Sequence, residues 1–502
     1  MTTSSRPAET TAEQLRVVAA AHPDREAYVH AEKRVTYRWL DRSADGFAAT
    51  LLDLGVTRGD VVCLLLPSSI KFAACYLGAL RAGAITSAIN LRLGPSEQAS
   101  IFERTHPRVT VVGDGAAVPA GVDPGHRLPV TELGHALGAD PPASLPSVAP
   151  TDPACIVWTS GTTGAPKGAV YDHVAMAAIS RNIGELTRPG DRRLLVLPFP
   201  HVGYMTRMWD ELVNGTTIVL VGEPWSADET LRLIRDEGIT MATGVPTQWL
   251  RVLAHPDVAR TDFSGLRVAG IGAAAIAPEL VRQMRKTLGC PVITRYTSTE
   301  AGVTTSTLVG DDDETIATTV GRPAPEVKLR ITAQDGRAVP EGEVGEVYCR
   351  SPAMFRGYWQ DPETTAAVVD GDGWLHTGDL GFVGADGNLR IVGRLKEMYI
   401  RGGYNVYPAE VEGVLAEHPS VARAAVVGAP HPDLGELGVA YVVAEPGAPA
   451  PDLDALRAWC RDRLADYKAP DRLEVVDDLP VTSMLKIDKR ALTARATEEI
   501  RA

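Results

Sequence analysis

The sequence predicts an α/β protein, with a large layered N-terminal part made of several subdomains followed by a small α+β unit. Three observations carry this prediction. At 502 residues the chain is too long for one hydrophobic core, so roughly two to four domains or subdomains are expected. Apolar runs of strand length alternate with stretches of helical periodicity over residues 24–112 and again over 154–295, the order that builds helix-covered sheets. About the last hundred residues change character and are few enough to fold alone.

Bulk composition narrows the function. Hydrophobic residues make up 45% and charged residues 23%, as in an ordinary globular protein. There is no run of about 18 apolar residues and the N-terminus, MTTSSRPAETTAEQ, is polar, so neither membrane insertion nor export is indicated and a cytoplasmic location is expected. Cys63, Cys75, Cys155, Cys290, Cys349 and Cys460 form no CxxC pair and mostly sit in apolar runs. They are expected as reduced core residues and not as a disulfide frame or zinc site. A formal net charge of -13 without a basic block argues against nucleic acid and anionic membrane as partners.

In order along the chain, TYRWLDRSADGFAATLLDLG repeats apolar residues at helical spacing (Trp39, Leu40, Phe47, Ala48, Leu51, Leu52) and stops at Gly55. VVCLLLP reads as a buried strand closed by Pro67, and FAACYLGALRAG as a second helix ended by Gly83. Strands follow at 84–90 and 109–112. Residues 113–150, rich in Gly, Pro and Ala, are expected to be a loosely structured connection without function.

The run from Ala154 to Trp158 then predicts a short buried strand that delivers the stretch TSGTTGAPKG, residues 159–168. Gly161, Gly164 and Gly168 let the backbone approach a ligand, Thr159, Ser160, Thr162 and Thr163 add hydroxyl donors, and Lys167 adds a point charge. That is the chemistry of holding a polyphosphate, so a nucleoside triphosphate is the expected ligand. It is not a Walker A loop, because the spacing from Gly161 to Lys167 differs and Gly168, not Ser or Thr, follows the lysine.

Strands at 194–197, 217–221 and 266–270 with helices at 228–236 and 279–288 continue the α/β pattern, and the strand-rich, Gly-punctuated residues 319–391 predict a small barrel or subdomain. In the last part PAEVEGVLAEHP and DLDALRAWCRDRLADY read as helices and ARAAVVGA, LGVAYVVAE and RLEVVDD as strands. The joint falls in GRLKE, giving domains 1–393 and 397–502 about a hinge at 394–396.

TSGTTGAPKG resembles the phosphate loop of the adenylate-forming superfamily, which includes acyl-CoA synthetases, luciferases and the adenylation domains of peptide synthetases. PFPHVGYM, AGIGAAAIAPEL, RYTSTEAG, GWLHTGDLG, RGGYNVYPAEVE and LPVTSMLKIDKR follow in that family's order, preceded by TY, GD and LGALRAGA, so the resemblance covers nearly the whole chain. It implies a large N-terminal domain that binds ATP and acid, and a small mobile C-terminal domain that pivots at Lys396.

The resemblance also implies roles. The loop residues Thr159, Ser160, Gly161, Thr162, Thr163, Gly164 and Lys167 would hold the phosphates, and Gly272, Ala273 and Ala274 the adenine. His201, Val202, Gly270 and Thr297 would line the acyl pocket. Relatives that activate amino acids place an aspartate where Val202 stands, which implies an acid without an α-amino group. Tyr296 would stack on the nucleotide, Thr299 donate to the α-phosphate, and Glu300 bind Mg²⁺. Asp379 and Arg394 would hold the ribose, with Ile391 beside the nucleotide. Gly402, Gly403 and Tyr404 would border the coenzyme A tunnel, and Lys486 would be the catalytic lysine, with Leu485 where the family has Gly.

The implied activity is ATP-dependent acyl-CoA synthesis through an acyl-adenylate, using ATP, Mg²⁺ and coenzyme A on an apolar alicyclic, aromatic or medium-chain acid. Lys486, Thr299, Glu300 and His201 form the implied catalytic set. Alternatives are an acyl-AMP ligase that loads a carrier protein, against which the short passage 321–359 speaks, a luciferase-like oxygenase, and a nucleotide-binding sensor, against which the intact Lys486 and Glu300 speak. The expected partners are the acid and coenzyme A, with no nucleic acid and no membrane insertion, and a homodimer is compatible with the sequence.

Overall fold

The computed structural model describes residues 8–159, 166–272, 276–333, 336–482 and 486–501, which form four sheets with helices packed on them. A six-stranded sheet runs in the order His126–Pro129, Val109–Val112, Val61–Leu65, Ile85–Ala88, Pro153–Thr159 and Lys167–Asp172. The first five strands are parallel and the last is antiparallel. Val61–Leu65 is apolar and buried throughout, as a strand covered on both faces must be. The helices Tyr37–Asp53 and Ile70–Arg81 start where Thr36 and Ser69 accept from the N–H groups of Trp39 and Phe72. They pack on each other within the largest core. Arg81, buried at the end of the second helix, is held by Asp41 and Asp45 of the first at 2.7 and 2.8 Å.

Residues 113–150 are not the loose connection that their composition predicts. His126–Pro129 adds a parallel edge strand, and the short helix Leu133–Leu137 docks on Tyr37–Asp53 with Leu128, Leu133 and Ala136 buried. The docking is close: a Cβ at Gly46 would come within 2.9 Å of the carbonyl oxygens of Ala136, Leu137 and Ala139. A few apolar side chains at the right positions suffice here, and average composition does not register them.

The nine-stranded sheet has a parallel centre of Val292–Ser298, Val268–Gly272, Met241–Gly244, Arg192–Leu195, Thr217–Leu220 and Glu26–His30, with antiparallel strands at both edges. The described residues of 319–391 form a small subdomain and no closed barrel. Their strands Lys328–Thr332, Gly345–Arg350 and Leu375–Val383 join Leu389–Arg394 in an open antiparallel sheet.

The C-terminal unit is built on the long hairpin Val421–His431 and Gly435–Ala444, which has helices on both faces. Pro408–Ala416 and Leu453–Arg461 cover one face. Lys489–Arg501, which the sequence reading did not identify, covers the other through Leu492, Ala496 and Ile500, four residues apart. Lys396 lies between Leu389–Arg394 of one sheet and Tyr399–Arg401 of another. All six cysteines are buried and free. Among the described residues no helix is long and apolar enough to cross a membrane.

Candidate active site

The strands Pro153–Thr159 and Lys167–Asp172 pair up to the partners Thr159 and Lys167, and Thr159 Oγ1 donates to the Lys167 carbonyl at 3.4 Å. Ser160, Gly161, Thr162, Thr163 and Gly164 lie outside the described residues, as do Ala273, Ala274 and Leu485. Two tyrosines tie this hairpin to Thr299 and Glu300. Tyr171 donates to the Thr299 carbonyl at 2.5 Å, and Tyr358 donates to Glu300 Oε1 at 3.0 Å while its ring lies 5.3 Å from Lys167 Nζ. Neither tyrosine was singled out from the sequence.

Asp379 and Arg394 are direct partners on neighbouring antiparallel strands, with Arg394 Nε donating at 3.0 Å to Asp379 Oδ1. The other carboxylate oxygen accepts from the Tyr296 hydroxyl. Burial pushes the Asp379 carboxyl above the usual range, and Arg394 opposes that shift. Tyr296 also packs against Val347 and Leu389, with Ile391 at the margin of the same cluster. Tyr296, Asp379, Ile391 and Arg394 therefore meet in one place, although they come from two sheets.

The Lys486 carbonyl accepts from the Thr482 N–H at 2.7 Å. Partial burial lowers its ammonium pKa, as does Arg394, while Asp379 and Glu300 act to raise it. The same ammonium, after burial, helps to push His201 down to about 3, so His201 is uncharged at neutral pH. His201 Nδ1 accepts from the Gly203 N–H at 2.9 Å, which leaves the ring proton on Nε2. Residues 201, 300, 379 and 394, distant in sequence, are thus each near enough to Lys486 for their charges to couple.

His201, Val202, Gly270, Gly272 and Thr297 line a cavity of about 100 Å³ beyond the carboxyl ends of the parallel strands, where open α/β sheets place their ligands. Ile179, Leu186, Leu197 and Val303 make its apolar walls. Arg193, Arg207 and Arg295 also line it, a basic side that the sequence reading missed because the three lie far apart in sequence and meet only in the fold.

Gly402 and Gly403 form the tip of the hairpin Tyr399–Arg401 and Tyr404–Val406, at φ +58° and +86°. A Cβ at Gly403 would meet nothing within 4 Å. Tyr404 is exposed and stacks on Tyr467 at 4.6 Å. None of the three lines the cavity that His201 and Val202 line.

The pattern of the family described as AMP-binding enzyme matches residues 15–359, and that of the AMP-binding enzyme C-terminal domain matches residues 410–486. The chain is 35% identical to a (7a-methyl-1,5-dioxo-octahydro-1H-inden-4-yl)propanoyl:CoA ligase of Rhodococcus jostii, over 96% of this chain and 98% of the relative. It is 38% identical to the enzyme of the same name from Mycobacterium tuberculosis, over 94% and 96%. Among solved structures, the amide bond synthetase McbA of Marinactinospora thermotolerans superposes with a TM-score of 0.85 at 32% identity, covering 97% of this chain and all of that one.

Proposed function

The chain belongs to the AMP-binding enzymes, and from that premise we propose that it is an ATP-dependent acyl-CoA synthetase acting through an acyl-adenylate. The observation that carries this reading is the convergence of Lys486 with Glu300, Asp379, Arg394 and His201 beside an apolar-walled cavity.

In the first step a carboxylate oxygen of the acid attacks the α-phosphorus of ATP, the bond to pyrophosphate breaks and the acyl-adenylate forms. The protein contributes position and charge more than covalent chemistry. Lys486 supplies a partly desolvated ammonium to the negative charge that builds during attack. His201 offers a neutral Nε2–H donor at the acyl entrance. Asp379 and Arg394 hold the ribose, and Tyr358 fixes Glu300 relative to Lys167.

One Mg²⁺ fits Glu300, since this ion takes one or two carboxylates along with phosphate oxygens and water, and bound with ATP it would screen the phosphate charge. Among the described residues no group of three or more His, Cys, Asp or Glu could hold a metal unaided.

In the second step the coenzyme A sulfur attacks the adenylate carbonyl and AMP leaves. The small domain pivots at 394–396, withdrawing Lys486 and bringing the hairpin of Gly402, Gly403 and Tyr404 to the thiol's path. The relatives' names specify a propanoate on a fused bicycle, and the apolar walls with Val202 support an acid with a ring body and no α-amino group. Pyrophosphate, AMP and thioester measured over a panel of ring-bearing propanoates, with and without coenzyme A, test this. The reading expects pyrophosphate release with ATP and acid, and thioester only with coenzyme A. Pyrophosphate release with no thioester at any coenzyme A concentration contradicts it.

A further inference from the structure

The cavity holds more positive charge than its carboxylates balance. Arg193 donates to Glu211 at 2.5 Å and Arg207 to Asp210 at 2.8 Å, both pairs buried. Arg295, the third arginine of the lining, has no such partner: its Nη1 is buried without a hydrogen bond. Asp210 is the carboxylate whose charge reaches it, and both Asp210 oxygens are taken. Ser180 and Asn214 donate to Oδ1, and Thr187 and Arg207 to Oδ2. Burial and the two neighbouring guanidiniums draw Arg295 down to about 9, so it is still a cation at neutral pH. A largely desolvated guanidinium whose buried Nη1 has no acceptor is costly and calls for one from elsewhere.

The strand Val292–Ser298 fixes what can supply it. Arg295 and Thr297 line the cavity, while Tyr296 between them turns to Asp379 on the other face. Arg295 lies four residues before Thr299, about 13 Å of extended chain from the end that carries Thr299 and Glu300. It therefore belongs to the part of the pocket remote from the reacting carboxylate.

We propose that the acid bears an acceptor oxygen, carbonyl or carboxylate, at the end of its acyl group away from the reacting carboxylate, and that Arg295 binds that oxygen and selects for it. This rests on the acyl-CoA synthetase reading. A site built to hydrogen-bond a substrate group rejects the analogue that lacks it far more strongly than an apolar pocket rejects a missing methylene.

The test compares 3-(4-oxocyclohexyl)propanoate, 3-(4-carboxycyclohexyl)propanoate and 3-cyclohexylpropanoate in wild type and Arg295→Leu. Pyrophosphate release is one readout, and equilibrium binding of the three corresponding acyl-sulfamoyl-adenosines, which need no turnover, is the second. In wild type one oxygenated analogue is expected to bind on the order of 10²-fold tighter than the cyclohexyl one, and in Arg295→Leu the ratio falls to within about threefold. The keto and carboxy arms tell which oxygen it is. Arg295→Leu should melt no lower than wild type, because it removes a guanidinium whose buried Nη1 has no acceptor. Equal binding of all three by wild type, a preference that survives in Arg295→Leu, or a variant that melts well below wild type overturns the proposal. Selective binding without any pyrophosphate release leaves it standing and counts against the synthetase reading alone.

Discussion

Tyr358 stands between Lys167 and Glu300, with its ring 5.3 Å from the lysine ammonium and its hydroxyl donating to the glutamate at 3.0 Å. It links the proposed phosphate hairpin to the proposed magnesium ligand without itself being charged at neutral pH, since burial and Glu300 push its phenol well up. Tyr358→Phe keeps the ring under Lys167 and removes only the donor. Half-saturation by Mg²⁺ in the pyrophosphate-release assay should rise several-fold, about 1 kcal/mol for a typical lost hydrogen bond, with melting little changed. An unaltered magnesium titration would detach Tyr358 from the metal.

Asp379 has both carboxylate oxygens engaged, one by Tyr296 and one by Arg394. Asp379→Ala leaves the Tyr296 hydroxyl and the inner side of Arg394 without an acceptor. KM for ATP should rise by on the order of 10- to 10²-fold and stability fall by about 1–3 kcal/mol, read from initial rates and urea unfolding. Arg394→Lys keeps the charge but loses the planar fork, and should fall between the two. A normal KM for ATP in Asp379→Ala would remove this residue from the ribose site.

Acid should destabilise the fold through its buried histidines. His173 is 1% exposed and hydrogen-bonded to Thr11, and burial holds its pKa at about 4. Its folded pKa lies below the unfolded value, so its contribution is present above about pH 6.5 and is lost as pH falls through about 4. His201, held at about 3, extends the loss further down. Unfolding free energy measured between pH 7 and 4 should fall, and His173→Gln should flatten that slope. An identical slope in the variant would mean that other groups govern acid sensitivity.

Gly403 sits at φ +86° with open space where a Cβ would go. Gly403→Asn, which tolerates this backbone region, should fold and retain both half-reactions better than Gly403→Leu. Gly403→Leu should release pyrophosphate in a single turnover but make little thioester. Loss of both reactions in the leucine variant, with normal melting, would contradict the placing of this hairpin on the coenzyme A path.

Much of this was legible in the sequence because strands buried on both faces and helices with caps write themselves locally. Val61–Leu65, Val109–Val112 and Ala227–Asp236 fall within a residue or two of the pattern that predicts them. What escaped depends on long-range pairing. Tyr358 and Tyr171 acquire roles only when folding brings them to Glu300 and Thr299. Arg193, Arg207 and Arg295 form a basic side only when separate strands and a helix meet. The edge strand His126–Pro129 and the helix Lys489–Arg501 carry too few apolar residues to stand out, and sheet neighbours provide what their sequence lacks.

The central claim is that Lys486 serves the first step and leaves the site for the second. The most direct measurement uses Lys486→Ala in two assays, pyrophosphate release from acid plus ATP and thioester formation from synthetic acyl-adenylate plus coenzyme A. Because burial already lowers the Lys486 pKa, removing the ammonium should not lower melting, so the variant is expected to be folded. The account predicts a loss on the order of 10² or more in the first assay and near-normal rates in the second. An equal loss in both assays by a folded variant would contradict it.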